Sequence, residues 1–185
     1  MIAENHVYLL FKTLFDMIKI DENIYLRLLS IEDAKDIFNA IDTNRPYFER
    51  WLPFVPFTKS VNDSLDYIIS VINSKELVYT IRNNNNFLGI IGFKETNHET
   101  KITELGYWLK EEFQGKGIIT KSTKILCDNA FNERGINRIL IKVEVGNNKS
   151  KAIPERLGFN LQGIDKDTFC YNKTIESYVF YKDNN

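Results

Sequence analysis

The stretch ELGYWLKEEFQGKGIITKS, residues 104–122, reads as a strand, a glycine-bearing turn and a helix start in direct succession. Strand alternation sets Glu104, Gly106 and Trp108 on one face and Leu105, Tyr107 and Leu109 on the other. A helix opening straight after the turn at Gln114-Gly115-Lys116-Gly117 leaves its first backbone N–H groups unpaired and pointing at one spot. The helix dipole adds partial positive charge there, which makes a ready pyrophosphate site. Gly115 and Gly117 permit the backbone angles and close approach such a site needs, and Lys116 and Lys121 add charge beside it. The same Gly-x-Gly spacing also describes a tight turn with no ligand. Other phosphate motifs fit poorly: a P-loop needs Gly-x-x-x-x-Gly-Lys-Ser/Thr, and a dinucleotide fingerprint needs a third glycine.

Working outward, 185 residues suit one domain with a real core. A net charge of −1 gives no drive for counterion release, which argues against nucleic-acid binding. Cys127 and Cys170 lie far apart and only His6 and His98 accompany them, so neither a disulfide framework nor a metal site is expected. Free thiols suit a reducing compartment, hence a cytoplasmic protein. In HVYLLFKTLFDMIKI, residues 6–20, Leu10, Phe11, Leu14, Met17 and Ile18 recur at helical spacing. Lys12, Asp16 and Lys19 interrupt the segment, and it is too short to span a bilayer. Residues 1–20 are therefore expected to be a helical extension on a single domain, 21–185. A partner or membrane helix, or a natural start at Met17, are the alternatives.

From Ile24 the pattern runs strand, helices, strands, helix, strand, helix, strands. Ser30 and Asp33 mark a helix start with Ala34, Ile37, Phe38 and Ile41 as its apolar stripe. A second helix is expected from Ser60 to Ser74 with Leu65, Ile68, Ile69 and Ile72 inward. The segment RPYFERWLPFVPF, residues 45–57, is dense in aromatics and proline and reads as a rigid irregular loop or short helix. Three strands between residues 77 and 110 are expected to form an antiparallel meander turning at Asn83–Asn86. A helix from Ile118 should stop at Gly135, and a shorter one from Lys149 at Gly158. Closing strands follow, with residues 165–174 unassigned.

Gln114-Gly115-Lys116-Gly117 resembles the Arg/Gln-x-x-Gly-x-Gly/Ala pattern of the GNAT N-acetyltransferase superfamily. VGNNKSKAIPERLGF, residues 145–159, is similar to the Asn-x-x-Ser segment, helix and Leu-Gly-Phe of its Rim-type branch, the ribosomal-protein-serine/alanine N-acetyltransferases. IYLRLLSIEDAKDIF, residues 24–38, and RWLPF, residues 50–54, resemble that branch's opening and its aromatic acceptor loop. The matches run in the family's order over residues 24–182. The resemblance implies a GNAT fold, α/β (α+β), with a mixed, mostly antiparallel central sheet flanked by helices and a V-shaped cleft between two central strands. It implies acetyl-CoA as co-substrate, held by Trp108, Leu109, Gln114, Gly115, Lys116, Gly117, Ile118, Ile119, Thr120 and Asn147. Ile119 departs from the Gly/Ala of the wider pattern. Where Rim-type enzymes often carry a glutamate proposed as base, this chain has Thr168, Phe169 and Cys170, so that role is not carried over.

Acetyl transfer to an amine needs an unprotonated nitrogen, a polarised thioester carbonyl and a stabilised leaving thiolate. A side-chain nucleophile is not required, and Cys127 reads as core. Glu104, on the strand face that would line the cleft, is the base candidate; a structural ion pair is its alternative. Ser150 is by resemblance the proton donor to sulfur, and a helix N-cap is its alternative. Tyr171 is a further acid candidate with uncertain register. Trp51, Phe54 and Phe57 are the acceptor-loop aromatics, or else a core lid. The acceptor is an amine, either a protein N-terminus or a small molecule such as a polyamine or aminoglycoside. A homodimer is compatible with this reading, and a non-catalytic acyl-CoA-binding module is the alternative from another class.

Overall fold

The computed structural model describes residues 17–171 and 173–184, with side chains throughout save at 167–170. Its strands are β1 (Met17–Lys19), β2 (Ile24–Leu28), β3 (Val78–Asn83), β4 (Asn86–Asn97), β5 (Ile102–Leu109), β6 (Arg138–Glu144), β7 (Asn160–Cys170) and β8 (Lys173–Asp183). Its helices are α1 (Ala34–Asp42), α2 (Arg45–Glu49), α3 (Val61–Ser74), α4 (Ile118–Glu133) and α5 (Asn148–Arg156). The strands form one sheet in the order β1-β2-β3-β4-β5-β6-β8-β7. Short turns join the antiparallel pairs β1–β2, β3–β4, β4–β5 and β7–β8, while β2–β3 and β6–β8 are antiparallel across longer connections. β5 and β6 are parallel because α4 carries the chain back between them.

Each face of the sheet is covered by its own helices. On one, α4 lays Ile118, Leu126, Cys127 and Ala130 over Leu105, Leu109, Ile139 and Ile141. On the other, α1 and α3 cover Val78, Phe87 and Ile90 with Ile37, Ile41 and Ile68, and Phe48 of α2 joins them. Full burial of a side chain such as Ile68 contributes about 1.5–3 kcal/mol. Between β2, β3 and the start of α1 lies a buried charge cluster. Asp33, with no exposed surface, accepts from Arg82 at 2.6 Å and from Arg27, while Arg82 also reaches Asp36 at 2.7 Å.

Two expectations fail here. Met17–Lys19 is a strand rather than the end of a helix; it pairs with β2 from Met17↔Arg27 to Lys19↔Tyr25. The open edge of β2 satisfies its backbone groups, and Ile18 packs against the core, so tertiary pairing overrides the helical spacing. The rest of the expected helix, residues 1–16, lies outside the described residues. In α3 the inward stripe is narrower than expected. Ser64 and Ile68 are buried and Leu65 and Val71 partly so, while Ile69 is 42% and Ile72 51% exposed. Among the described residues α1 and the short turn Ile31–Asp33 before it are the main helical neighbours of α3, so chiefly one side of it finds a partner. Of the unassigned residues, 165–170 and 173–174 belong to the paired strands β7 and β8. No described helix is long and apolar enough to cross a membrane.

Candidate active site

The parallel β5–β6 ladder ends at Glu104↔Leu140. Beyond it β5 stays paired with β4 as far as Leu109, and β6 with β8 as far as Glu144. The two strands therefore diverge, and the inner backbone edge of β5 over Leu105–Leu109 has no neighbouring strand. This is the expected V-shaped cleft. It arises because β6 turns to follow β8 while β5 follows β4.

At the mouth of the cleft stands the glycine turn. Gly115 and Gly117 both have φ of +73°, and Gly117 is the N-cap of α4, so no side chain caps the helix. A Cβ built on either glycine meets nothing within 4 Å. The first helical bond runs from Lys121 N to Gly117 O at 3.0 Å, which leaves the amides of Ile118, Ile119 and Thr120 free of intrahelical partners. The side chains of Ile118 and Ile119 point the other way, 4% and 8% exposed in the core. That orientation explains how Ile119 can stand where many relatives of this turn have a small residue. Gln114 fastens the turn: its Nε2 donates to the Tyr47 hydroxyl and its Oε1 accepts from Lys149 at 3.0 Å. Thr120 Oγ1 accepts from Arg156 at 2.9 Å, and Lys121 pairs with Asp21. Lys116 lies over the Phe113 ring, 5.1 Å from its centroid, and is exposed to solvent. An uncapped helix start with an approachable left-handed glycine and four cations around it fits a diphosphate.

Ser150 is not the cap of α5. Asn147 holds that place, its Oδ1 accepting from Ser150 N at 3.2 Å. The hydroxyl of Ser150 instead donates to Tyr107 OH at 3.3 Å, across the cleft. Tyr107 in turn donates to the Ser150 carbonyl at 3.3 Å. Burial pushes the Tyr107 phenol up to about 12, so it keeps its proton at neutral pH. Sequence reasoning placed Tyr107 on the core face and stopped there. Its hydroxyl, which needs a partner when buried, was the available signal.

Glu104 sits at the vertex where β5 and β6 part, only 5% exposed. Lys94 closes an ion pair with its Oε1 at 2.8 Å, and Lys142 approaches Oε2 at 4.0 Å. Trp108 packs edge-on against Phe48 at 5.2 Å, and Leu109 is buried in the core beneath α4. Trp51 lines a cavity of about 330 Å³ with Glu49, Arg50, Glu144, Lys173 and Glu176. Phe54 is partly buried in the α1–α3 core instead, and with Phe57 it packs on Tyr171 at the hairpin tip. Tyr171, 49% exposed, is part of that stack. Asp63 is taken up by the Ser60 capping box of α3. Cys127 is 4% exposed and its thiol is pushed up to about 12 by burial. A thiol reagent is therefore expected to leave the Cys127 peptide unmodified in native protein and to label it only after denaturation, as mass spectrometry would read.

Comparison with known proteins agrees with this geometry. Residues 23–160 match the family model described as Acetyltransferase (GNAT) domain. YdaF of Bacillus subtilis (strain 168), which carries a provisional ribosomal N-acetyltransferase name, is 33% identical over 88% of this chain and 92% of its own. The ribosomal-protein-serine acetyltransferase of Escherichia coli (strain K12) is 25% identical over 90% of this chain and 95% of its own. Among solved structures, the Microcin C7 self immunity acetyltransferase MccE, in complex with acetyl-CoA and AMP, superposes with a TM-score of 0.82. It is 28% identical and covers 91% of this chain and 96% of its own. With three quarters of its length under one family model and a split sheet opening onto an uncapped α4, the chain belongs to the GNAT acetyltransferases.

Proposed function

We propose that this protein transfers the acetyl group of acetyl-CoA to a primary amine by direct attack in a ternary complex. The free amides of Ile118, Ile119 and Thr120 at the mouth of the split carry this reading, because they supply a diphosphate grip where an extended arm can enter between β5 and β6. Gln114, Gly115, Lys116 and Gly117 shape the grip. The bare inner edge of β5 through Trp108 and Leu109 offers backbone bonds to the arm, and the side-chain Nδ2 of Asn147 offers a further donor. When bound, the co-substrate supplies an activated acetyl carbonyl, so positioning carries much of the rate.

Ser150 is the donor to the leaving sulfur in this reading, and Tyr107 holds its hydroxyl in place. Glu104 is the base foreseen from strand alternation. Its carboxylate is already engaged by two lysines, which favours a role in fixing the vertex. Because Ser150 caps nothing, Ser150→Ala is expected to lower kcat about 100-fold while leaving the melting temperature unchanged. Tyr107→Phe should lower kcat less, about tenfold, with KM for acetyl-CoA little altered.

The acceptor favoured here is a protein N-terminus, such as that of a ribosomal protein, in line with the names of the two bacterial relatives. The carboxylates Glu49, Glu144 and Glu176 around the cavity support a second reading, a small polycationic amine. A thiol-release assay across N-terminal peptides, polyamines and aminoglycosides, paired with acetyl-CoA calorimetry, tests both. Tight binding with no turnover on any amine would make the chain a non-catalytic acyl-CoA module. The unpaired, buried thiol of Cys127 is in keeping with work in the cytoplasm.

A further inference from the structure

We infer that the acceptor amine enters as an ammonium ion at the cavity beside Trp51 and gives its proton to Glu144, a role that rests on the acetyl-transfer reading above. Three observations lead there. The first is the sidedness of the sheet. α4 and its anion-gripping turn pack on the face formed by Leu105, Leu109, Ile139 and Ile141. An acetyl group threaded through the split must meet its acceptor on the opposite face. Lys142, which approaches Glu104 at 4.0 Å, marks that opposite face of β6. Alternation sets Glu144 on the same side.

The second is position along the strand. Glu144 is the last residue of β6, at the wide end of the split, and its carbonyl accepts from Asn147 N at 3.0 Å. It thus lies three residues before the Asn147 cap and six before Ser150. The third is surroundings. The cavity of about 330 Å³ brings the Trp51 ring beside Glu144, and the same ring comes within 4.0 Å of a Cβ built on Gly146. The Arg50 guanidinium lies over the Trp51 ring, 4.9 Å from its centroid, so the ring already serves as a cation surface, and the ring edge with the Glu144 carboxylate leaves room for an ammonium beside it. Partial burial raises the Glu144 carboxyl above its ordinary range, and the Lys173 charge opposes that shift. Among the described residues Glu144 closes no ion pair, in contrast to Glu104. The other charges facing the cavity are Glu49 and Arg50 from the α2 end and Lys173 and Glu176 from β8.

Proton and bond changes balance. The ammonium loses one proton to the Glu144 carboxylate, and the freed nitrogen pair forms the C–N bond at the acetyl carbon. The C–S bond breaks, and the sulfur takes a proton from Ser150. The nitrogen's second proton replaces the one Ser150 gave, and Glu144 returns its own to solvent.

The test is the pH dependence of kcat/KM for the full chain, with a free-N-terminus peptide and a linear polyamine as separate acceptors. In wild type the acid limb should follow an enzyme group and be the same for both amines. In Glu144→Gln, kcat/KM at neutral pH should fall roughly 100-fold. Its acid limb should move up to each amine's own titration, so that activity returns at alkaline pH. Acetyl-CoA affinity by calorimetry should not change. Folding is not the cause of such a loss. A carboxyl raised by burial contributes stability below its unfolded value and loses it as pH rises through the folded value, so removing the charge should not lower the melting point at neutral pH. Glu104→Gln serves as the paired variant. If it shows the moving limb and Glu144→Gln keeps the wild-type profile, Glu144 is not the acceptor of the proton. Wild type inactive on every amine would overturn the acetyl-transfer reading itself.

Discussion

Asp33→Ala is expected to lower the free energy of unfolding by about 3–5 kcal/mol, the cost of removing one partner from a buried ion pair. The loss comes from what stays behind. Arg82 is 7% exposed and would keep only Asp36, whose side chain is 44% exposed, as a carboxylate partner. Asp33 Oδ2 also accepts from Ser30 N at 2.9 Å, so the chain entry into α1 loosens as well. Urea unfolding should show a lower midpoint at unchanged m, and the melting temperature should drop on the order of 10 °C. Adding Arg82→Met to Asp33→Ala should recover part of the loss, because the stranded guanidinium is gone. A single-variant loss below about 1 kcal/mol would mean that Asp36 or solvent satisfies Arg82, and that the cluster is not a structural anchor.

Gly117→Val is expected to abolish the co-substrate grip while leaving the fold largely intact. At φ of +73° a valine pays backbone strain of about 1–2 kcal/mol. Its Cβ meets no protein atom within 4 Å, so the strain is the only folding penalty. The branched side chain would, however, stand over the amides of Ile118 and Ile119. Losing even two charge-assisted bonds, at about 1.5–3 kcal/mol each, predicts at least a 100-fold weaker acetyl-CoA affinity. Gly158→Val is the matched control. Gly158 has φ of +71° and equally open surroundings but follows the C-terminal end of α5 instead of opening α4. The control should lose comparable stability and keep its affinity. Equal affinity in both variants would remove the turn from the binding site.

Much of this molecule was legible in the chain. The glycine turn, the meander of β3, β4 and β5, and the stops at Gly135 and Gly158 depend on local rules. Each is set by backbone angles or by two-residue alternation, so neighbours in sequence suffice. Where the outcome depended on a partner far along the chain, local reading fell short. Met17–Lys19 carries helical spacing, yet the bare edge of β2 was there to pair with it. Ile69 and Ile72 were apolar at nearly the right spacing, but among the described residues α1 and the turn before it cover chiefly one side of α3. Ser150 suited a cap, but α5 starts at Asn148, so Asn147 is the cap and accepts from Ser150 N.

The sequence by itself determined that a glycine turn and a helix start follow the strand at Glu104–Leu109, because two glycines before an apolar-periodic run are local signals that need no distant partner. It also determined the split between two sheet faces, through the alternation of Leu105, Tyr107 and Leu109 with Glu104, Gly106 and Trp108. Tertiary structure alone decided which polar groups meet in the cleft. Ser150 and Tyr107 are 43 residues apart. Glu104 meets Lys94 and Lys142 only because three strands lie side by side. Glu144 and Trp51 line one cavity only because the aromatic loop folds over the end of β6. Those pairings are long-range, and long-range contacts are chosen by the packing of whole elements.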